Sequence, residues 1–100
     1  MKLIYSEQSV KDLRRLRDFI AEHNPDAAQR IAQQLLDRLD NLVLFPRMGV
    51  SVLSAPDPES VRDIILDDYV IRYSCHPETL VVLRMWHHLE MRPGSINLSE

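Results

Sequence analysis

The chain has 100 residues, 45% of them hydrophobic and 27% charged, which are the proportions of one soluble globular domain with a modest core. Its formal net charge is -3, from 15 Asp and Glu against 12 Lys and Arg; this excludes a protein that grips phosphates over its whole surface and leaves room only for a local basic patch. No apolar run reaches the roughly 20 residues of a membrane helix, and Met1-Lys2 leads straight into a strand-like segment with no signal-peptide pattern.

A cytoplasmic protein with no membrane association is therefore expected. Cys75 is the only cysteine, so an internal disulfide is impossible and a buried structural thiol is the natural reading. No repeat or low-complexity tract divides the chain, and residues 1–100 read as a single domain.

Lys2 to Ser6 (KLIYS) has the composition of a short strand, and Ser6, Gln8 and Ser9 offer caps for a following helix. Val10, Leu13, Leu16, Phe19 and Ile20 then recur at spacings of three and four, which predicts one helical stripe, with Lys11, Arg14, Arg15 and Asp18 on the other side. Asn24-Pro25 reads as an N-cap followed by proline at the first helical position. Ala27, Ala28, Ile31, Ala32, Leu35, Leu36, Leu39 and Leu42 give the second helix a wide apolar stripe with small residues near its start. The short connection makes an antiparallel helical hairpin over about residues 8–43.

Phe45-Pro46 ends that pattern, and the segment to Ser60 is loop, with a short extended piece at Val50 to Leu53. From Val61 to His88 the chain reads as three strands and two hairpin turns, broken at Asp67-Asp68 and at His76-Pro77-Glu78-Thr79. If residues 77–79 form the second loop, Tyr69, Ile71, Tyr73 and Cys75 share an apolar face with Val81, Leu83, Met85 and His87. Val70, Arg72 and Ser74 then lie with Val82, Arg84 and Trp86. A two-residue loop would instead mix Arg84 into the apolar face, where an unpaired charge is costly, so the longer loop is expected. The tail, residues 89–100, contains Pro93-Gly94 and reads as irregular.

The fold class is α+β: an N-terminal strand and a helical hairpin packed on one face of an antiparallel sheet that a three-stranded C-terminal meander completes. Arg72, Arg84 and Trp86 are expected on the other face, open or beneath the tail. There they read either as ordinary salt-bridged surface residues or as anchors for a protein partner.

Cys75, His76, His87 and His88 invite a metal reading, but spacing opposes it. Cys75 and His76 flank the turn, His87 and His88 lie about 20 Å away at a strand rise of roughly 3.3 Å, and adjacent strand residues point to opposite faces. Neither a metal nor a cofactor is expected. There is no nucleophile elbow and no glycine-rich phosphate loop. Acid–base chemistry on RNA could draw only on Arg62, Arg72, Arg84, His87 and His88, and Arg62 lies at the rim of the core, where it is expected to pair with a carboxylate.

Several local patterns occur together in order. They are Ser6 with Asp12-Leu13, Asn24-Pro25 with Ala27-Ala28, Leu44-Phe45-Pro46 with Gly49, Arg62, Tyr69-Val70-Ile71-Arg72-Tyr73, and Val81-Val82-Leu83-Arg84-Met85-Trp86-His87. From about Leu3 to His88 the chain thereby resembles the ParE/RelE superfamily of toxins from type II toxin–antitoxin modules. The resemblance implies structural places for Arg62, Tyr69 and Tyr73. It also implies an antitoxin partner that folds onto the helical hairpin and the sheet.

The superfamily's RelE-like members cut mRNA on the ribosome, and its ParE-like members poison DNA gyrase by binding. Basic residues of the RelE-like nucleases are replaced here by Val61, Asp63 and Val70, and the positions after the last strand read His88-Leu89-Glu90. Only His88 survives from that set. The Leu-Arg-x-x-His ending of the last strand looks ParE-like, although His88, Leu89 and Glu90 replace the small and basic residues usual after it.

A ParE-like toxin is thus the expectation. It has DNA gyrase as target, no catalytic residue of its own and no sequence-specific nucleic-acid binding by the toxin alone, and Arg72, Arg84, Trp86 and His87 are the candidate contact residues. The alternative is a ribosome-dependent endoribonuclease using His88, Arg84 and Arg92. A third reading is a toxin-fold protein that has lost toxicity and only binds an antitoxin.

Overall fold

In the computed structural model, residues 1–57 and 60–89 are described. Arg92 and the expected irregular tail beyond Leu89 lie outside them. The elements run β1 (Lys2–Tyr5), α1 (Glu7–His23), α2 (Pro25–Leu42), β2 (Val50–Ser51), β3 (Val61–Leu66), β4 (Tyr69–Cys75) and β5 (Thr79–His87).

Capping sets the helix boundaries. Ser6 Oγ accepts the Ser9 N–H at 3.0 Å, and Ser9 Oγ returns a bond to the Ser6 carbonyl at 2.8 Å. Asn24 serves both helices: its N–H donates to the Ile20 carbonyl, and its side chain accepts the Ala27 N–H at 3.2 Å. Pro25, whose missing N–H forfeits no helical bond, opens α2.

The sheet order is β1-β5-β4-β3-β2. The class is the expected α+β, with two refinements within the sheet. β1 joins β5 in parallel, so the sheet is mixed, and the short β2 pairs with β3 at Val50↔Asp63 and Ser51↔Arg62. β3 turns into β4 through Asp67-Asp68, where Asp67 takes φ 58°, a left-handed conformation that short polar side chains tolerate better than most.

The second hairpin corrects the expected register. Cys75 faces Leu80, and His76 and Thr79 exchange backbone bonds, so the loop is the two residues Pro77-Glu78. Tyr73 pairs with Val82 but Arg72 with Arg84, and Leu83 is the extra residue of a β-bulge. Beside the turn the core residues are therefore Leu80 and Val82 in place of Val81 and Leu83. Beyond the bulge Tyr69 faces His87 and Ile71 faces Met85, as the longer loop would have placed them. One inserted residue satisfies both the tight turn and the apolar face.

Leu16, Ile20, Ala28, Leu35, Leu39 and Leu42 from the helices pack onto Ile64, Leu66, Tyr69, Ile71, Tyr73, Leu80, Val82 and Met85 of the sheet. In α1 the buried line is Ser9, Asp12, Leu16 and Ile20, rotated from the predicted stripe, and Val10 and Phe19 are exposed at its margin. No helix among the described residues is long and apolar enough to cross a membrane.

Candidate functional site

Beyond the end of β1, the free edge of β5 is closed by side chains. Ser6 N–H and Oγ donate to the carbonyls of Val82, 2.9 Å, and Leu83, 3.0 Å. One turn into α1, Asp12 Oδ2 accepts the Met85 N–H at 2.9 Å, and Arg15 donates to the Met85 carbonyl at 3.0 Å. The helix thus stands in for a missing strand, pairing backbone groups that would otherwise sit open at an edge.

Asp12 is fully buried. It also accepts from Arg84 Nε at 2.8 Å and Arg84 Nη2 at 3.3 Å, and from Arg15 Nη1 at 2.6 Å. Burial alone would raise its carboxyl. The hydrogen bonds from Arg84, Met85 N–H and Arg15, with the Arg84 charge, outweigh that and hold it below the ordinary carboxylate range. Arg84, expected on the face opposite the helices, is therefore committed to α1.

On that opposite face Arg72 forms a two-point bridge with its neighbour across β3 and β4, Nε to Asp63 Oδ1 at 2.8 Å and Nη2 to Asp63 Oδ2 at 3.0 Å. This bond raises the Arg72 pKa further. The same guanidinium lies 5.3 Å from the centre of the Trp86 ring, and Trp86 is only 5% exposed, so of the two expected places, open or covered, it takes the covered one.

His87 stands on the helix side, 5.3 Å edge-on to Tyr69 and 6.0 Å from Phe19. The His88 ring is stacked on it at 4.8 Å, so the two imidazoles lie together, because the strand ends at His87 and the chain turns. His88 Nε2 is 3.6 Å from Asp68. Among the described residues no group of three or more His, Cys, Asp or Glu side chains could hold a metal. Arg72, Arg84, Trp86 and His87 consequently do not form one surface. Arg84 turns to α1, Arg72 and Trp86 lie on the opposite face, and His87 packs under Phe19.

At the other end of the sheet, the loop after α2 is pinned from beneath. Tyr73 Oη donates to the Pro46 carbonyl and accepts the Gly49 N–H, both at 2.9 Å, and Cys75 Sγ donates to Pro46 at 3.2 Å. Burial pushes the Tyr73 hydroxyl and the Cys75 thiol up in pKa, so both remain protonated donors. Arg62 is buried, and its described hydrogen bonds run to the backbone carbonyls of Gly49, 2.8 Å, and Arg47, 3.4 Å. A Cβ at position 49 would meet Tyr73 Oη at 2.7 Å and the Asp63 carbonyl at 2.8 Å, so only glycine fits.

The side chains of Tyr73, Cys75 and Arg62 hold this loop by its backbone from beneath, and its large apolar side chains point out. Leu44, Phe45 and Met48 are 68%, 65% and 58% exposed. Sequence reading gave Asp12-Leu13 and Leu44-Phe45-Pro46 only as family patterns and assigned no role to Asp12 or to this apolar group. The signal for Asp12 was its spacing of four from Leu16 and eight from Ile20, the line that faces the core.

The sequence profile of the family described as "ParE toxin of type II toxin-antitoxin system, parDE" matches residues 3–92. Two similar proteins are Toxin RelE1 and Toxin RelE2 of Caulobacter vibrioides. The first is 33% identical over 96 residues, covering 90% of this chain and 96% of the relative, and the second is 28% identical, covering 86% and 93%. A solved chain from the chromosomal ParDE TA system of P. aeruginosa superposes with a TM-score of 0.72 at 18% identity, covering 87% of this chain and 95% of that one, and so shares the fold. Profile, relatives and fold agree: the chain belongs to the ParE toxin family, within the ParE/RelE superfamily, and is the toxin of a type II toxin–antitoxin system with a cognate antitoxin as partner.

Proposed function

We propose that this toxin acts as a ParE-like inhibitor that binds DNA gyrase, contributes no catalytic residue of its own and is silenced by its antitoxin. The observation that supports this reading best is the pairing of two guanidiniums on the sheet with carboxylates. Arg72 is held by Asp63 and Arg84 by Asp12, where a nuclease needs unengaged cations to stabilise charge developing on a phosphate. Val61, Asp63 and Val70 add no positive charge to β3 and β4. Gyrase, as a bacterial DNA enzyme, also fits the expected cytoplasmic location.

The names of the relatives favour a second reading, ribosome-dependent mRNA cleavage, for which His88, Arg84 and Arg92 would form the acid–base set. Its weakness is that Arg84 is tied to α1. Purified gyrase assayed for supercoiling and DNA cleavage, beside a ribosome-dependent mRNA cleavage assay, separates the two. Stabilised gyrase–DNA cleavage with intact mRNA is the expected result. Codon-positioned mRNA cuts with gyrase unaffected would overturn it, and inactivity in both with retained antitoxin binding would leave the non-toxic reading.

A further inference from the structure

We infer that the loop after α2 is a principal anchor point for the antitoxin, taking an acidic segment whose apolar side chains pack on Phe45 and Met48; this rests on the toxin–antitoxin assignment above. Leu44, Phe45 and Met48 overhang Ile64 and Leu66 to form a cleft of ≈ 370 Å³ with Arg38 at its rim. A contiguous hollow of ≈ 480 Å³ is lined by Phe45, Pro46, Met48 and Arg47.

Three observations select the occupant. The first is charge. In a chain with more carboxylates than cations, the charged residues lining the hollows among the described residues are Arg38 and Arg47, with no described Asp or Glu at either. Arg38 is bridged to Asp67 at 3.1 Å, but both side chains are largely exposed. Such pairs hold weakly and can exchange for a partner's carboxylate.

The second is preorganisation. The loop backbone is fixed from below by Tyr73, Cys75 and Arg62, so its apolar side chains are presented without the ordering cost that a mobile loop incurs on binding. Exposed aromatic and Met side chains held in this way are the composition of interface hot spots. The third is persistence. An apolar group this exposed promotes aggregation unless a resident partner covers it for most of the protein's life. An antitoxin is such a partner, and a second copy is disfavoured because two-fold pairing of this face would set Arg38 and Arg47 against themselves.

The test is calorimetric titration of the intact toxin and its variants with the cognate antitoxin, with thermal melts as a folding control. Phe45→Asp and Met48→Asp should each melt like the parent and weaken binding by about 100-fold, the range of interface hot spots. Arg38→Glu should weaken it by about 10-fold and flatten its dependence on salt.

Unchanged antitoxin affinity in folded Phe45→Asp and Met48→Asp would overturn the site while leaving the antitoxin assignment intact. Failure of the parent toxin to bind the antitoxin would overturn both. Loss of self-association, or of gyrase inhibition, with antitoxin affinity retained would assign the face to another occupant and overturn the inference.

Discussion

Two borders of the sheet, the edge of β5 under α1 and the side of β3 and β4 under the loop after α2, are closed with opposite chemistry. Beside α1, the edge of β5 is closed by a buried carboxylate and two guanidiniums, and all of those charges are consumed within the fold. Beside β3 and β4, the loop after α2 is held by a phenol, a thiol and a guanidinium that bind its backbone carbonyls, and the loop's apolar side chains are left outside. Charges spent inside the fold are not offered to a partner, whereas a loop fastened through its backbone offers everything beyond Cβ. Breaking each border should therefore produce different losses.

The largest effect is expected at the first border. Asp12→Ala leaves Arg84 without its buried carboxylate and the Met85 N–H open, which should cost about 3–5 kcal/mol in a denaturant titration. Asp12→Asn, which retains acceptor geometry but not charge, should lose less. The pH dependence has a definite sign. A carboxyl lowered by folding contributes stability that is fully present above its unfolded pKa of about 3.9, and that is lost as pH falls through its folded value. The parent should thus lose stability on acidification below about pH 4, and the acid limb should be shallower in Asp12→Asn. A parallel limb would remove Asp12 as its source.

The second border should respond less and locally. Gly49→Ala drives a methyl into Tyr73 Oη and the Asp63 carbonyl, an overpacking that typically costs about 1–3 kcal/mol. Tyr73→Phe strands the buried Gly49 N–H for a similar cost, about 1–3 kcal/mol. The two changes share an atom, so their sum should exceed the double variant: removing Oη relieves the 2.7 Å contact, although Tyr73 Cε1 at 2.9 Å still obstructs. Strict additivity by urea titration would mean that the loop is not pinned through this hydroxyl.

How much of this was legible depended on the range of the physics involved. The helices follow from spacing, and their boundaries from Ser6, Asn24 and Pro25, all local signals. Strand existence was equally local, and so was the apolar face beyond the turn. The bulge at Leu83 was not. It is a compromise between the Pro77-Glu78 turn and the need to keep Met85 inward, and either half-register looks wrong alone. Asp12 was hidden for a related reason. A carboxylate on a helix reads as solvent-facing until a distant strand supplies Arg84 and the Met85 N–H, 72 and 73 residues away. The segment after Phe45-Pro46 was legible as loop, but that Leu44, Phe45 and Met48 stand outside was not, because it depends on Tyr73, Cys75 and Arg62 holding the loop backbone from distant strands.

The smallest expected effect concerns the Asp63–Arg72 bridge, which lies between the two borders. Both side chains are partly exposed, so a double-mutant cycle of Asp63→Asn and Arg72→Gln should give a coupling of about 1 kcal/mol or less, decreasing with salt. Its functional value is larger than its energy. Asp63→Asn releases a guanidinium already oriented beside Trp86 and gives β3 and β4 the positive charge that a phosphate-binding face would need. If the toxin works by binding alone, that variant should gain no mRNA cleavage. A gain would mean that Asp63 masks a nuclease, and that the neutral face is a restraint on chemistry rather than its replacement.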